Sequence, residues 1–183
     1  AISGRRSGIG DQRLTPSGRC CTLVEFAIVS DTHWREGGPD LDRLVHRLYG
    51  AKYILHAGDT VDSTIIDALE QVAPVLAVIG NCCNASLRSR FPTLRVDDLD
   101  GLKVGITHGH LIDLRDGRSV LDQFPEEVKL VIHGHTHLPR CEEYEGRWIF
   151  NPGSVSEPRH GTPPTYGWGT WKNGELLLQH KMF

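Results

Sequence analysis

The chain has 183 residues, 39% hydrophobic and 23% charged, a globular balance that excludes wholesale disorder and collagen-like or low-complexity architecture. Twenty basic against 23 acidic residues leave a formal charge of -3, so there is no basic field for a long nucleic acid and no polybasic membrane patch. No apolar run approaches the ~20 residues of a bilayer span.

Ten histidines stand against four tyrosines and one methionine, and imidazole is the commonest metal ligand. The five cysteines include two adjacent pairs, Cys20-Cys21 and Cys82-Cys83. Such spacing fits neither a disulfide framework nor a zinc ribbon, and a reduced, cytoplasmic setting follows. Residues 1–22 hold four arginines, one acid and no continuous apolar stretch, so they do not read as a secretory signal. They read as a tail, an extended or misplaced start, with a basic transit peptide as the alternative; the domain is expected over 23–183.

From Leu23 the punctuation becomes regular. LVEFAIVSD is a short apolar run of buried-strand type. Asp40 is expected to cap a helix carrying Leu41, Leu44, Val45 and Leu48 at helical spacing. AKYILHAGD is a second strand, Ser63 the expected cap of a helix with Ile65, Ile66, Leu69 and Val72, and APVLAVIGN a third strand. Strand, helix, strand, helix, strand implies a parallel unit with right-handed crossovers.

The second half changes character. TLRVDDLDGLKVGITHGH predicts a hairpin turning at Asp100-Gly101, followed by a short helix around Ser119–Phe124 and a buried strand in KLVIHGH. Two more hairpins are predicted about Glu145-Gly146 and Asn173-Gly174. Two sheets packed face to face, with helices outside, would bury all these runs in one core.

Each predicted core strand ends in a polar cluster: Asp31-Thr32-His33, Gly58-Asp59, Gly80-Asn81, Thr107-His108-Gly109-His110 and Gly134-His135-Thr136-His137. In α/β folds ligands bind beyond the carboxyl ends of strands. Convergence of these ends gathers carboxylates, an amide and imidazoles, a mixed N/O set suited to Mn, Fe, Co, Ni or Zn.

SDTH, GDT, GNCC, THGH and GHTH, in this order, resemble the calcineurin-like metallophosphoesterase superfamily, in particular its compact bacterial and archaeal phosphodiesterase branch. NPGSVSEPR at 151–159 is similar to the turn after that branch's last metal motif. The resemblance covers about residues 23–183. It implies an α/β four-layer αββα sandwich of two mixed sheets and a two-metal site, with Mn foremost among the candidate ions. It implies that Asp31, His33, Asp59 and His137 hold one ion and Asn81, His108 and His135 join Asp59 on the other. Attack on a phosphate ester by a metal-bridging hydroxide follows, with a phosphodiester as the foremost substrate and phosphomonoesters as the alternative.

Asn81, Cys82 and His110 are the remaining candidates for the chemistry itself. Many relatives carry Gly-Asn-His, whose histidine protonates the leaving group; Cys82 agrees instead with the compact branch and implies weak protonation. Cys83 stands where an acid is usual, either as a lost partner, as a soft thiol beside the metals, or as a small buried apolar residue. His110 is read as donating to phosphate or as a support, and His56 and His133 as core imidazoles. Trp34 is read as a wall of the site, and Trp148, Trp168 and Trp171 as core or interface. The expected partner is a small phosphate ester, nucleotides included, with no membrane or long nucleic acid; self-association through hairpin edges stays open. The competing class is a non-catalytic scaffold on the same fold, as in the retromer subunit, which carries a degraded ligand set.

Overall fold

The computed structural model describes residues 23–183; the expected tail, with Cys20 and Cys21, lies outside them. The elements run β1 (Leu23–Val29), α1 (Pro39–Arg47), β2 (Tyr53–His56), α2 (Ser63–Glu70), β3 (Val75–Ala77), α3 (Ala85–Arg90), β4 (Leu94–Leu99), β5 (Leu102–Thr107), α4 (Gly117–Leu121), β6 (Leu130–Ile132), β7 (Arg140–Tyr144), β8 (Arg147–Asn151), β9 (Thr165–Lys172) and β10 (Glu175–Met182).

They form two mixed five-stranded sheets, ordered β10-β9-β1-β2-β3 and β4-β5-β6-β8-β7. β1 lies centrally, parallel to β2 and antiparallel to β9, so both of its faces are covered and its sequence is a continuous apolar run. The period-2 alternation still sorts its side chains. Val24, Phe26 and Ile28 meet Val104, Ile106, Ile132 and Phe150 of the second sheet. Ala27 and Val29 turn the other way, onto Leu41, Leu44, Leu48, Ile65 and Leu69 of α1 and α2. On the far sheet Val131 and Ile149 meet Val120 and Phe124 around α4. Helices, sheet, sheet and helix make the expected αββα sandwich.

Glycines in β9 leave room for one aromatic ring of the neighbouring strand β1 and one of the facing sheet. A Cβ on Gly169 would lie 2.1 Å from the Phe26 ring, and one on Gly167 would lie 2.4 Å from Phe150. The three expected hairpin turns form where predicted, with left-handed φ at Asp100-Gly101, Glu145-Gly146 and Asn173-Gly174, the type I′ signature.

Helix boundaries differ from the sequence expectations. Gly38 is the N-cap of α1 with Pro39 in its first turn, so Asp40 lies inside the helix, where its charge favours the positive end of the dipole. Asp62, not Ser63, caps α2 by accepting from the Thr64 N–H at 2.8 Å. α4 begins two residues earlier than expected and is capped by Asp116. The six-residue α3 had no apolar stripe to announce it; only Leu87 is buried.

Candidate metal centre

The parallel strands of both sheets deliver their carboxyl ends to one pole. Backbone bonds tie these ends to their neighbours within each sheet: Asp31 N–H donates to Gly58 O, His33 N–H to Asp59 O, and Gly134 N–H to His108 O. Asp31, His33, Asp59, His135 and His137 all adopt left-handed φ between 44° and 68°, a conformation costing about 1–3 kcal/mol at a non-glycine residue. The glycines beside them permit contact that no other residue allows. A Cβ on Gly80 would stand 2.1 Å from Asp59 Oδ1, and one on Gly134 would stand 2.0 Å from Ser30 Oγ and 2.7 Å from Asp31 Oδ2.

The ligand atoms converge. His137 Nε2 lies 3.3 Å from Asp31 Oδ1, and His33 Nε2 lies 3.3 Å from His137 Nε2. Asp59 Oδ2 sits between two rings, 3.7 Å from His33 Nε2 and 3.2 Å from His108 Nε2. Asn81 Oδ1 is 3.2 Å from His108 Nε2. Asp59 Oδ1 accepts from the Cys82 N–H at 2.7 Å, which leaves Oδ2 free to face both groups. Among the described residues the tight groupings are Asp31–His33–His137, Asp31–Asp59–His108 and His33–Asp59–Cys82, their ligand atoms all within 4.8 Å of one another. His135 is in none of these; its ring stands edge-on to His108 at 5.3 Å, and its backbone N–H donates to the Asp31 carboxylate.

The donor chemistry tests the fit to a cation. His108 Nδ1 faces Ala57 O at 2.8 Å and His137 Nδ1 faces Glu157 O at 2.5 Å. A carbonyl only accepts, so both Nδ1 atoms carry the proton, and Nε2 of the neutral ring is a lone pair. Those lone pairs point at carboxylate oxygens, acceptor against acceptor. A proton on His108 would relieve its own contact with Asp59 and leave the His137–Asp31 contact as it is. A divalent ion satisfies every one of these atoms together, so the residues present fit the metal that the fold class implies.

Electrostatics at the pole follows from burial and charge. Burial raises Asp31 above the ordinary carboxylate value, against the pull of His108 and Ser30. Burial also works to raise Asp59, but the His108 ring and the Cys82 N–H outweigh it and hold this carboxyl below its usual range. His108 is buried yet raised, because Asp59 and Asp31 face it. His110 and His135 are lowered by burial first and by His108 second. Burial and the Asp59 charge push the Cys82 thiol up to about 11, so it is a weak acid for a leaving group.

The core histidine readings hold. His56 is fully buried among Thr32 and Thr60 hydroxyls, and burial lowers it to about 3. His133, also buried, falls to about 4. Cys83 is a buried apolar residue among Ile66, Ala77, Ile79 and Leu87, its Sγ facing the Gly80 N–H. Trp34 packs against Phe183 and the α1 cluster rather than standing free at the site.

Four further residues support the ligand loops, and of these Arg88 carried no sequence signal. Arg88 donates to Asn81 O at 2.8 Å and to Cys83 O at 2.9 Å, clamping the loop that presents Asn81. Ser154 and Ser156 both donate to Asp31 O. Asn151 donates to Gly134 O. The turn at 151–159 therefore holds the first and last ligand motifs together.

Fold and site together define a metal-dependent hydrolase of αββα type. Residues 24–174 match the calcineurin-like phosphoesterase superfamily domain, and the chain belongs to that family. A probable metallophosphoesterase of Methanocaldococcus jannaschii is 32% identical over 137 residues, covering 73% of this chain and 69% of the relative. Phosphodiesterase YfcE of Escherichia coli is 31% identical over 167 residues, covering 79% and 86%. Among solved structures, a Streptococcus pneumoniae protein described as a predicted phosphoesterase shares the fold with a TM-score of 0.69, 24% identity, and coverage of 88% and 90%.

Proposed function

We propose that the protein hydrolyses phosphodiesters at a centre of two divalent ions, with Mn the leading candidate ahead of Ni, Fe, Co and Zn. The observation that carries this reading is the ring of acceptors around Asp59 Oδ2, which reaches both the His33 and the His108 groups. Asp31, His33 and His137 hold one ion with Asp59; Asn81 and His108 hold the other, with His135 next to them. When bound, such ions neutralise phosphoryl oxygens and lower the pKa of bound water.

The chain's own residues do the rest. Ala57 O and Glu157 O fix the tautomers of His108 and His137. Arg88 and the serines of the 154–156 turn keep the carboxylate and amide oriented. His110, beside His108 and His135, is placed to donate to phosphate. Cys82, a thiol that holds its proton tightly, supports activated leaving groups over alkoxides. The substrate is a small phosphate ester, a nucleotide among the candidates, acted on by one domain over 23–183. The free Cys82, Cys83 and Cys141 favour a reducing compartment, the cytoplasm, and no helix among the described residues is long and apolar enough to cross a membrane.

The test is hydrolysis of bis-p-nitrophenyl phosphate by metal-stripped protein, with and without Mn²⁺, and with Asp59→Asn as control. Turnover is expected only with the ion, and at least ~100-fold lower in the variant, since one carboxylate serves both ions. Bound metal without turnover of this diester would overturn the diesterase reading and leave the monoesterase or scaffold.

A further inference from the structure

Next to the metal ligands, on the side of the second sheet, lies a cavity of about 140 Å³ that the phosphoester chemistry does not use. It forms at the open end of the β4–β5 hairpin, where Leu94 pairs opposite Thr107. Its mouth is shaped by the loop after His108. Gly109 has a left-handed φ of 95°, and a Cβ there would meet Leu114 at 2.8 Å, so the loop folds back tightly on itself.

His110 belongs to both places. Its ring stands 5.4 Å from that of His108, it lines the cavity, and its buried Nδ1 has no hydrogen-bond partner. His110 therefore stands between the His108 ring and this space.

The size and lining of that space select the group. A cavity of about 150 Å³ holds benzene, so this one, open to solvent on one side, has room for a single six-membered ring. Leu94, Leu111 and Ile112 supply apolar walls for the faces of a flat ring. Thr93, Thr107 and Gln123 supply the edges, with hydroxyls that donate or accept and an amide that does both. Gln123 Nε2 already donates to Ser119 O at 3.2 Å, which leaves its carbonyl oxygen as an acceptor. Apolar faces with alternating donors and acceptors at the rim describe a pyrimidine base.

We propose that this cavity is the subsite for a pyrimidine base carried by the phosphate ester. It deepens, and rests on, the reading of the metal centre as a phosphate-ester site. The cavity sets which esters bind well, while the metal ligands set that they are phosphate esters at all.

The experiment is calorimetric titration of the Mn-loaded full chain with thymidine 5′-monophosphate, deoxyadenosine 5′-monophosphate, deoxyribose 5-phosphate and methyl phosphate. The thymidine nucleotide is expected to bind at least tenfold more tightly than each of the others. Leu94→Trp, which fills the space from an edge strand, and Gln123→Leu, which removes the acceptor, should each bring that ratio towards one. Methyl phosphate affinity, unchanged in both variants, reports that fold and metals are intact. Equal binding of deoxyribose 5-phosphate or of the purine nucleotide would overturn the proposal, as would a ratio that survives both substitutions. An intact ratio without turnover of bis-p-nitrophenyl phosphate sinks the diesterase reading and keeps the subsite. Turnover with a ratio of one does the reverse.

Discussion

Among the described residues, nine that are not glycine take the left-handed backbone conformation, and they divide between two kinds of place. Asp100, Glu145, His160 and Asn173 each precede a glycine in a tight turn and are exposed. Asp31, His33, Asp59, His135 and His137 sit at strand ends where both sheets converge, and none is followed by glycine. The first set obeys local turn geometry, which the chain would adopt anywhere. The second is imposed by tertiary contacts that hold donor atoms toward one point, which is how strain persists at functional sites. The same torsion angle thus means chain reversal in the turns and ligand presentation at the strand ends.

Acid should break the metal pole before the turns. His56 and His133 are buried and neutral beside the ligand loops, lowered to about 3 and about 4 from 6.5. A histidine with a depressed folded value is protonated first in the unfolded chain, so stability is complete above pH 6.5 and falls as pH drops towards the folded value. Between pH 7 and 5 each ring should cost about 2 kcal/mol, or about 4 kcal/mol for the pair. His108 is raised and works in the opposite sense, so urea denaturation is best compared on metal-loaded protein, where that ring is engaged. A loss under about 1 kcal/mol would mean that these two rings are not held neutral.

Two alanine substitutions sharpen the contrast. Gly80→Ala drives a Cβ against the Asp59 carboxylate at 2.1 Å and its backbone nitrogen at 2.6 Å. Metal affinity and turnover should drop by about 100-fold, the scale on which disturbed metal surroundings act. Gly174→Ala meets nothing within 4 Å but keeps a φ of 89°. It should cost about 1–2 kcal/mol in thermal unfolding and leave turnover within twofold. Similar losses of activity in both would erase the distinction between turns and strand ends.

A smaller effect is expected from Arg88→Lys. An ammonium cannot reproduce the fork that spans Asn81 O and Cys83 O. Binding of the ion on the Asn81 side should weaken about tenfold, near the lower end for a lost supporting contact, while the other ion stays. Two-site calorimetry with Mn²⁺ reads this directly, and uniform weakening of both sites would remove Arg88 from the loop-positioning role.

The sequence announced the turns and the strand ends unequally. Hairpin turns at Asp100-Gly101, Glu145-Gly146 and Asn173-Gly174 are local, and dipeptide chemistry suffices to find them. The ligand series was legible because every motif ends an apolar run, so Asp31, Asp59, His108 and His137 could be placed at strand ends without knowing the sheet order. What stayed hidden lacks period or locality. α3 buries one residue and has no stripe, and Arg88 acts through its guanidinium on carbonyls five and seven residues away. Helix starts moved by one or two residues because Pro39 and Asp62 compete with neighbouring cap candidates. The offset of His135 from the tight groupings is a matter of side-chain direction, which alternation along a strand does not specify beyond its end.

The smallest expected effect isolates strain without touching the site. Glu145 is exposed and followed by Gly146, with φ of 52° and 75°. Glutamate is a poor occupant of this position, since its Cβ crowds the carbonyl and its side chain is too long to bond back locally, as asparagine does. Glu145 also pairs with Arg118, but both side chains are more than half exposed, so that pair contributes little. Glu145→Asn should therefore raise stability by about 0.5–1 kcal/mol with turnover and metal content unchanged. The matching change at a strand end, His137→Asn, relieves the same torsion yet removes a donor from the metal grouping, so it should lose metal. If Glu145→Asn instead destabilised the chain, the Arg118 pair would outweigh the torsion, and left-handed residues in the turns could not be assigned to turn geometry alone.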